Sequence, residues 1–312
     1  MVGIDWLNLT FPVECRRELS DYVQRIFGEF KSVPWKLHNR YESVIRSEQS
    51  GIIAWTDGKD GSPAIPEAFL NLPGALIGSL DEPGLNSFLC QMVAFEPFAT
   101  RLDLRFDDFD KIVRPSVVYQ SVKDGLCSTF RKSRFIESKI ADGDPAGTCE
   151  LGVAGKNGCG KMYCIYDKFI QSGGAIDSIR WELRYYKERA NDAFWRLCQS
   201  AQAGNLTEVI SALIGGECVF DQALLPWWAE IKQKLGNLRI ATYRKTSDIE
   251  QKMTWFYKSM SKLIAQIDQH LEKKGLAGVE DFLSACKLRG YTLLDISPEE
   301  KELVYVQDEL PF

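Results

Sequence analysis

With 312 residues, 45% of them hydrophobic and 26% charged, the chain has an ordinary globular composition and enough apolar mass for a sizeable core, which excludes a disordered, collagen-like or purely coiled-coil protein. A formal net charge of −5 argues against a nucleic-acid partner until the chain is divided. Residues 1–100 carry 8 basic against 13 acidic side chains and residues 201–312 carry 13 against 16, but the middle hundred carries 17 against 14, with Arg131, Lys132 and Arg134 clustered. Such a local excess permits phosphate binding, and a solvated face gives the same count.

No apolar run approaches the roughly 18 residues of a membrane span; Phe69–Leu80 is broken by Asn71, Pro73 and glycines. The opening MVGIDWLNLTFP has neither a basic nor an apolar leader segment, so a cytoplasmic protein is expected. The nine cysteines form no C-x-x-C pair, which fits reduced thiols better than a disulfide or zinc scaffold. Only two histidines are present, His38 and His270. A histidine metal cradle or a Ser–His–Asp triad therefore lacks material, and an enzyme built from this sequence holds metal through oxygen and uses another base.

In chain order, Ile4–Pro12 alternates as a strand and Cys15–Phe30 carries a helical stripe of Leu19, Tyr22, Val23, Ile26 and Phe27. Residues 51–84 are Gly- and Pro-rich and read as strands and turns. Helical spacing returns over Glu82–Glu96, Ala99–Asp107 is strand-like, and Ser116–Ser128 suits a helix. Cys149–Val153, Met162–Lys168 and Ile179–Tyr185 read as strands, the first two joined by a Gly-rich turn. Beyond residue 200, Ser247–Glu250 forms a capping box that opens a stripe of Ile249, Met253, Phe256, Met260, Leu263 and Ile267, and Gly278–Arg289 suits a short helix. The expected fold is α+β, an antiparallel sheet or sheets with helices on one face, followed by a helical C-terminal region. The expected division is a catalytic domain over residues 1–200 and a helical region with an acidic tail over 201–312.

Three of the strands carry chemistry. In RLDLRFD, period-2 alternation puts Leu102, Leu104 and Phe106 on one face and Asp103, Arg105 and Asp107 on the other. In IRWELR, Arg180, Glu182 and Arg184 lie opposite Ile179, Trp181 and Leu183. Tyr166 and Lys168 share a face with Met162 and Cys164. One reading is a wet sheet face whose charges pair across strands. A sharper one gives Asp103, Asp107 and Glu182 a Mg²⁺ or Mn²⁺ ion, with a tyrosine nucleophile and a lysine beside them. Gly155–Lys161 matches G-x-x-x-x-G-K, but Met162 replaces the Ser or Thr of a phosphate loop and a strand follows, so the segment reads as a hairpin turn.

IDWLNLTFP, RLDLRFD, the Gly-rich turn into IYDK and IRWELR, in that order, resemble the replication initiation factor family, the rolling-circle initiators of plasmids, filamentous-type phages and some integrative elements. The resemblance implies a metal-dependent enzyme that nicks one strand at origin DNA and rejoins it through a 5′-phosphotyrosyl intermediate. It places the nucleophile on Tyr166 and the following lysine on Lys168, and the family's acidic residues on Asp103 and Glu182. Where the family usually has arginine this chain has Cys164, leaving Lys161, Arg180 or Arg184 to bind phosphate. Tyr163, on the other strand face, is the competing tyrosine. Rival readings are a non-catalytic DNA-binding regulator and the relaxase of an integrative element. The helical C-terminal region is expected to bind origin duplex or to form a homodimer. The ending Asp-Glu-Leu-Pro-Phe resembles the acidic tip of bacterial single-stranded-DNA-binding proteins. It makes Phe312 a candidate contact for a host helicase or replication-restart factors, and packing of Leu310 and Phe312 onto their own domain is the alternative.

Overall fold

A computed structural model describes residues 1–34, 41–56, 67–130, 132–138, 146–152 and 160–239. The chain divides into two compact units, Met1–Thr242 and Tyr243–Phe312. The second lies outside the described residues, as do the expected helices over 247–267 and 278–289, Arg131, and Phe312.

The first unit opens with β1 (Val2–Pro12), α1 (Arg16–Phe27), β2 (Lys31–Ser32), β3 (Ser43–Arg46), β4 (Ile52–Thr56) and β5 (Glu67–Pro73), then α2 (Gly74–Ile77) and α3 (Glu82–Met92). It continues with β6 (Phe98–Asp108), α4 (Pro115–Lys123), β7 (Ser133–Ser138), β8 (Ala146–Gly152), β9 (Lys161–Asp167), α5 (Lys168–Gln171) and β10 (Ile179–Tyr186). Three helices close it: α6 (Glu188–Ala203), α7 (Leu206–Glu217) and α8 (Pro226–Lys234). The ten strands form one antiparallel sheet in the order β2-β3-β4-β5-β1-β6-β10-β9-β8-β7.

That order is a palindrome. Each half is a long strand, a helix and a four-stranded meander whose last strand returns to pair with the first, and the halves join where β1 pairs with β6. The repeat is carried by topology; the sequence shows none.

Local signals start and stop the helices. The Asp81 carboxylate accepts from the Gly84 N–H at 2.9 Å to cap α3, and Pro115 opens α4. α1 ends at Gly28 (φ 86°) and α6 at Gly204 (φ 73°), left-handed positions that suit glycine. The helices cover one face of the sheet, where Leu7, Leu9, Leu70, Leu72, Leu102, Leu104, Leu183 and Tyr185 meet Leu19, Phe88, Phe194, Leu197 and Leu213 in one core. Trp181 on β10 packs against Trp228 of α8, ring centroids 6.0 Å apart. Aromatic side chains of this kind bury about 150–250 Å² each, roughly 4–6 kcal/mol as an upper bound at about 25 cal/mol per Å². The fold is the expected α+β sheet with helices on one face.

Candidate active site on the open sheet face

The other face carries the charges. β10 lies between β6 and β9, with Arg180 opposite Asp107 and Tyr166, and Glu182 opposite Arg105 and Cys164. Alternation thus gathers Asp103, Arg105, Asp107, Tyr166, Arg180, Glu182 and Arg184 on one surface, as their spacing implied.

Two ion networks divide it. In one, Arg180 donates Nε to Asp107 Oδ1 at 2.7 Å, Nη2 to Asp107 Oδ2 at 2.9 Å and Nη1 to Asp5 Oδ1 at 2.7 Å, while Arg105 reaches Asp5 at 3.3 Å. In the other, Arg101 clamps Asp103, with Nε 3.0 Å from Oδ1 and Nη2 2.5 Å from Oδ2. Arg184 donates Nε to Glu182 Oε1 at 2.7 Å and lies 3.8 Å from Asp103. Tyr166 belongs to this second network: its hydroxyl donates to Glu182 Oε2 at 2.9 Å.

Burial sets the electrostatics. Asp103 and Glu182 are 1% and 3% exposed. Burial drives the Asp103 carboxyl up to about 7, against the opposing pull of Arg101 and with help from the Glu182 charge. Burial acts on Glu182 in the same direction, but hydrogen bonds from Arg184, Tyr166 and Asp103 outweigh it and hold Glu182 below the usual carboxylate range. Of the adjacent pair, Asp103 is therefore the member that takes up a proton first as pH falls. Burial, then the Glu182 charge, pushes the Tyr166 phenol well above its ordinary range. Lys168 Nζ sits 5.9 Å from the Tyr166 ring centroid and donates to Gln171 Oε1 at 2.6 Å. Burial and Arg180 lower its affinity for a proton. Burial pushes the Cys164 thiol to about 12, which keeps it neutral and removes it as a rival nucleophile.

Several expected residues stand elsewhere. Asp107 is four positions along β6 from Asp103, about 13 Å at roughly 3.3 Å per residue, and belongs to the Arg180 network. Lys161 and Tyr163 face the helices: Lys161 Nζ donates to Glu217 Oε2 at 2.6 Å, and the Tyr163 hydroxyl bonds the Ile214 carbonyl. Lys168 begins α5 instead of ending β9, because the Asp167 side chain accepts from the Phe169 N–H at 2.9 Å and starts a helical turn. Lys132 and Arg134 are exposed, and Arg134 pairs with Glu150 at 2.5 Å. Asp5 has no counterpart in the sequence reading. A bulge between Ile4 and Trp6 breaks the alternation of β1 where Asp5 sits. Gly74 gives it room, since a Cβ there would lie 2.7 Å from the Asp5 carbonyl oxygen.

The donor set suits a hard divalent cation in one arrangement. Among the described residues no three His, Cys, Asp or Glu side chains form a metal-holding group. A magnesium-like ion needs only one or two carboxylates, with water and substrate phosphate completing its shell. Asp103 and Glu182 are the adjacent carboxylates that would serve, through lone pairs beyond those that accept from Arg101, Arg184 and Tyr166; Asp107 does not join them.

A family model described as replication initiation factor matches residues 97–284, more than half of the chain. The chain belongs to that family. The match begins one residue before β6 and so covers the second half of the sheet. Among solved structures, the rolling circle replication initiator protein from Geobacillus stearothermophilus superposes with a TM-score of 0.52 at 18% identity, over 80% of this chain and 91% of that one. The likeness is one of fold. The di-domain ARO/CYC StfQ of the steffimycin biosynthetic pathway, with a TM-score of 0.16 and 9% identity over 66% of this chain and 96% of its own, carries no argument. No curated protein matches the chain. Among the described residues no helix is long and apolar enough to cross a membrane.

Proposed function

We propose that this replication initiation factor nicks one strand of origin DNA by attack of Tyr166 on a phosphodiester, and rejoins it at the same site. The observation that carries the reading is the Tyr166 hydroxyl donating to Glu182 Oε2 at 2.9 Å on the charged face. A new bond forms from Tyr166 Oη to phosphorus as the bond from phosphorus to O3′ breaks. The phenol proton passes to Glu182 and the departing O3′ takes up a proton from water, Glu182 returning its own to solvent, which leaves a free 3′-OH and a 5′-phosphotyrosyl link. One phosphodiester replaces another, so the reverse attack by a 3′-OH rejoins the strand.

Magnitude says what else the site must supply. Ordinary phenol and carboxylic acid pKa values differ by about 6 units, roughly 8 kcal/mol against transfer of the proton to Glu182, and the raised phenol together with the hydrogen bonds that hold Glu182 low widens the gap. Positive charge must therefore stabilise the phenolate and the phosphorane-like transition state. Lys168 lies over the ring, and Arg184 orients the Glu182 carboxylate. Asp103 and Glu182 would hold Mg²⁺ or Mn²⁺, which supplies Lewis-acid stabilisation of charge on phosphorus when bound. Of the three candidates for phosphate binding, Arg180 uses Nε, Nη1 and Nη2 on carboxylates and Lys161 is occupied by Glu217. Arg184 spends only Nε, which leaves its terminal nitrogens as the donors to the DNA strand, to a base as well as to a phosphate.

The test is a labelled pool of random single-stranded 40-mers (about that length) incubated with the protein and Mn²⁺ and run on a denaturing gel. A covalent band is expected, with the attached nucleotide mapped to Tyr166 by mass spectrometry and lost in Tyr166→Phe. Attachment to another tyrosine removes Tyr166 from the mechanism. Sequence-specific binding with no covalent band favours the DNA-binding regulator.

A further inference from the structure

We propose that the cavity beside Tyr166 is a base-reading pocket that takes one guanine of the nicked strand next to the joined phosphate, an inference that rests on the nicking reading above. The cavity measures about 240 Å³, and its walls include Thr148, Glu150, Cys164, Tyr166, Gln171 and Arg184. That lies below the roughly 300–1,000 Å³ of sites for drug-sized ligands, a scale that suits a single base. Its floor is set by register: Cys164 sits between Glu150 on one neighbouring strand and Glu182 on the other, a short side chain in a row of long ones.

The walls carry opposite hydrogen-bonding character. Arg184 uses Nε on Glu182 at 2.7 Å, and its two terminal nitrogens have no protein partner among the described residues. A guanidinium offers five N–H donors in a planar fork. Glu150 gives Oε2 to Arg134, at 2.8 Å from Nε and 2.5 Å from Nη2, and its Oε1 accepts from no protein group among the described residues. Donors from arginine match the O6 and N7 acceptors of guanine. A carboxylate oxygen matches the N1–H and N2–H donors on the adjoining edge. Adenine presents an amino donor where guanine has O6, and so meets Arg184 with the wrong sign. The ring of Tyr166 and the stem of Arg184 supply flat apolar surface for the base. Holding the base beside the phosphate it flanks fixes that phosphate against the Tyr166 hydroxyl, so the pocket would set both the sequence preference and the in-line geometry.

The adduct-forming pool tests this. Adducts of the wild-type protein are isolated and both the attached and released strands are sequenced. Guanine is expected to be fixed at one position within about two nucleotides of the junction. Glu150→Gln, isosteric and at a partly exposed site whose partner Arg134 is exposed, should relax that position by roughly tenfold while preferences elsewhere persist. Replacing that guanine by 7-deazaguanine, which lacks the N7 acceptor, or by inosine, which lacks the N2 amine, should each lower adduct yield by about tenfold with no change to the protein. Wild-type adducts lacking a guanine preference near the junction, a Glu150→Gln profile identical to wild type, or indifference to both analogues would overturn the pocket. Absence of any wild-type adduct is a different result: it removes the nicking reading, and the pocket with it.

Discussion

By topology, β1, β4 and β5 in the first half of the sheet correspond to β6, β9 and β10 in the second, yet the same open face has opposite chemistry in the two. The first half offers amides and aromatic rings: Asn71 Nδ2 and Trp6 Nε1 both donate to Asn8 Oδ1 at 2.7 Å, and Phe69 stacks on Tyr41 with centroids 5.4 Å apart. The second offers Asp103, Asp107 and Glu182 with their arginines around one tyrosine, joined across the β1–β6 seam by Asp5 of the first half. Both halves fill the helix-covered face with the same kinds of leucine and aromatic residue. Packing against helices constrains one side of every strand and leaves the other free, so a duplicated architecture can hold a dense ionic site in one half and a surface of mainly amides and rings in the other. The family match begins with the charged half.

The comparison breaks most visibly at Lys161, a cation on β9 that faces the core. Lys161→Met should destabilise the protein by about 3 kcal/mol, because Glu217, 2% exposed, loses its closest cation. A urea melt reads this directly, and DNA binding by the folded fraction should be unchanged. Arg184→Lys, on the open face, should do the reverse: it keeps the charge but loses the planar fork, lowering adduct yield at least tenfold with a smaller shift in the melt. Equal effects of the two substitutions on DNA binding would erase the distinction between the faces.

The Asp103 proton gives a second test. Asp103 is raised from its ordinary 3.8 to about 7, so its protonated form is favoured by folding. Its contribution to stability is fully present below about pH 4 and is lost as pH rises through 7. Glu182, held low, acts in the opposite sense, but only as pH falls below the usual carboxylate range. Between about pH 5 and 8 stability should therefore decline by a few kcal/mol, at about 1.4 kcal/mol per pKa unit, and Asp103→Asn should flatten that slope. A divalent cation competes with the same proton, so the rise in Tm on adding Mn²⁺ should grow from pH 6 to pH 8 and vanish in Asp103→Asn. A Mn²⁺ shift independent of both pH and Asp103 places the ion elsewhere.

These two cases show how far the sequence reaches. Alternation in RLDLRFD and IRWELR was enough to put Asp103, Glu182 and Arg184 on one surface, because a two-residue period follows from backbone geometry alone. The same rule applied to Lys161 and Tyr166, five positions apart, puts them on opposite faces, and Lys161 indeed turns to Glu217. Asp167 before Lys168 was a visible cap. The division of carboxylates into two networks was not legible, since it depends on which arginine of a neighbouring strand reaches which acid. Asp5 sits at a bulge, where periodicity fails. Glu217, the partner of Lys161, is separated from it by 56 positions, and no local pattern joins them.

A smaller effect is expected in the neutral half. Asn71 is 6% exposed and donates to Asn8. Asn71→Leu should cost about 1–2 kcal/mol for the lost hydrogen bond and leave adduct yield within about twofold of wild type. A large fall in yield with little loss of stability would show that the amide half also takes part in holding DNA.

The smallest expected effect lies where the halves leave the sheet. In the first half the exit from β5 runs through Pro73 into α2 at φ −74°, ψ 157°, ordinary extended backbone. In the second, the exit from β10 runs through Lys187 at φ 56°, ψ −132°, a region that an L side chain enters only under strain. The turn is held there because the Lys187 N–H donates to the Thr100 carbonyl and the Tyr186 N–H to that of Gly160, both at 2.9 Å, while α6 must start at once to cover β6. Glycine adopts that conformation without the Cβ clash, at the cost of a more flexible unfolded chain. Lys187→Gly should therefore stabilise the protein by about 1 kcal/mol despite adding a glycine, whereas Lys187→Ala, which keeps the Cβ, should not. Chemical denaturation of the two variants beside wild type separates relief of backbone strain from loss of the lysine charge. If alanine stabilises as much as glycine, the charge is what matters there.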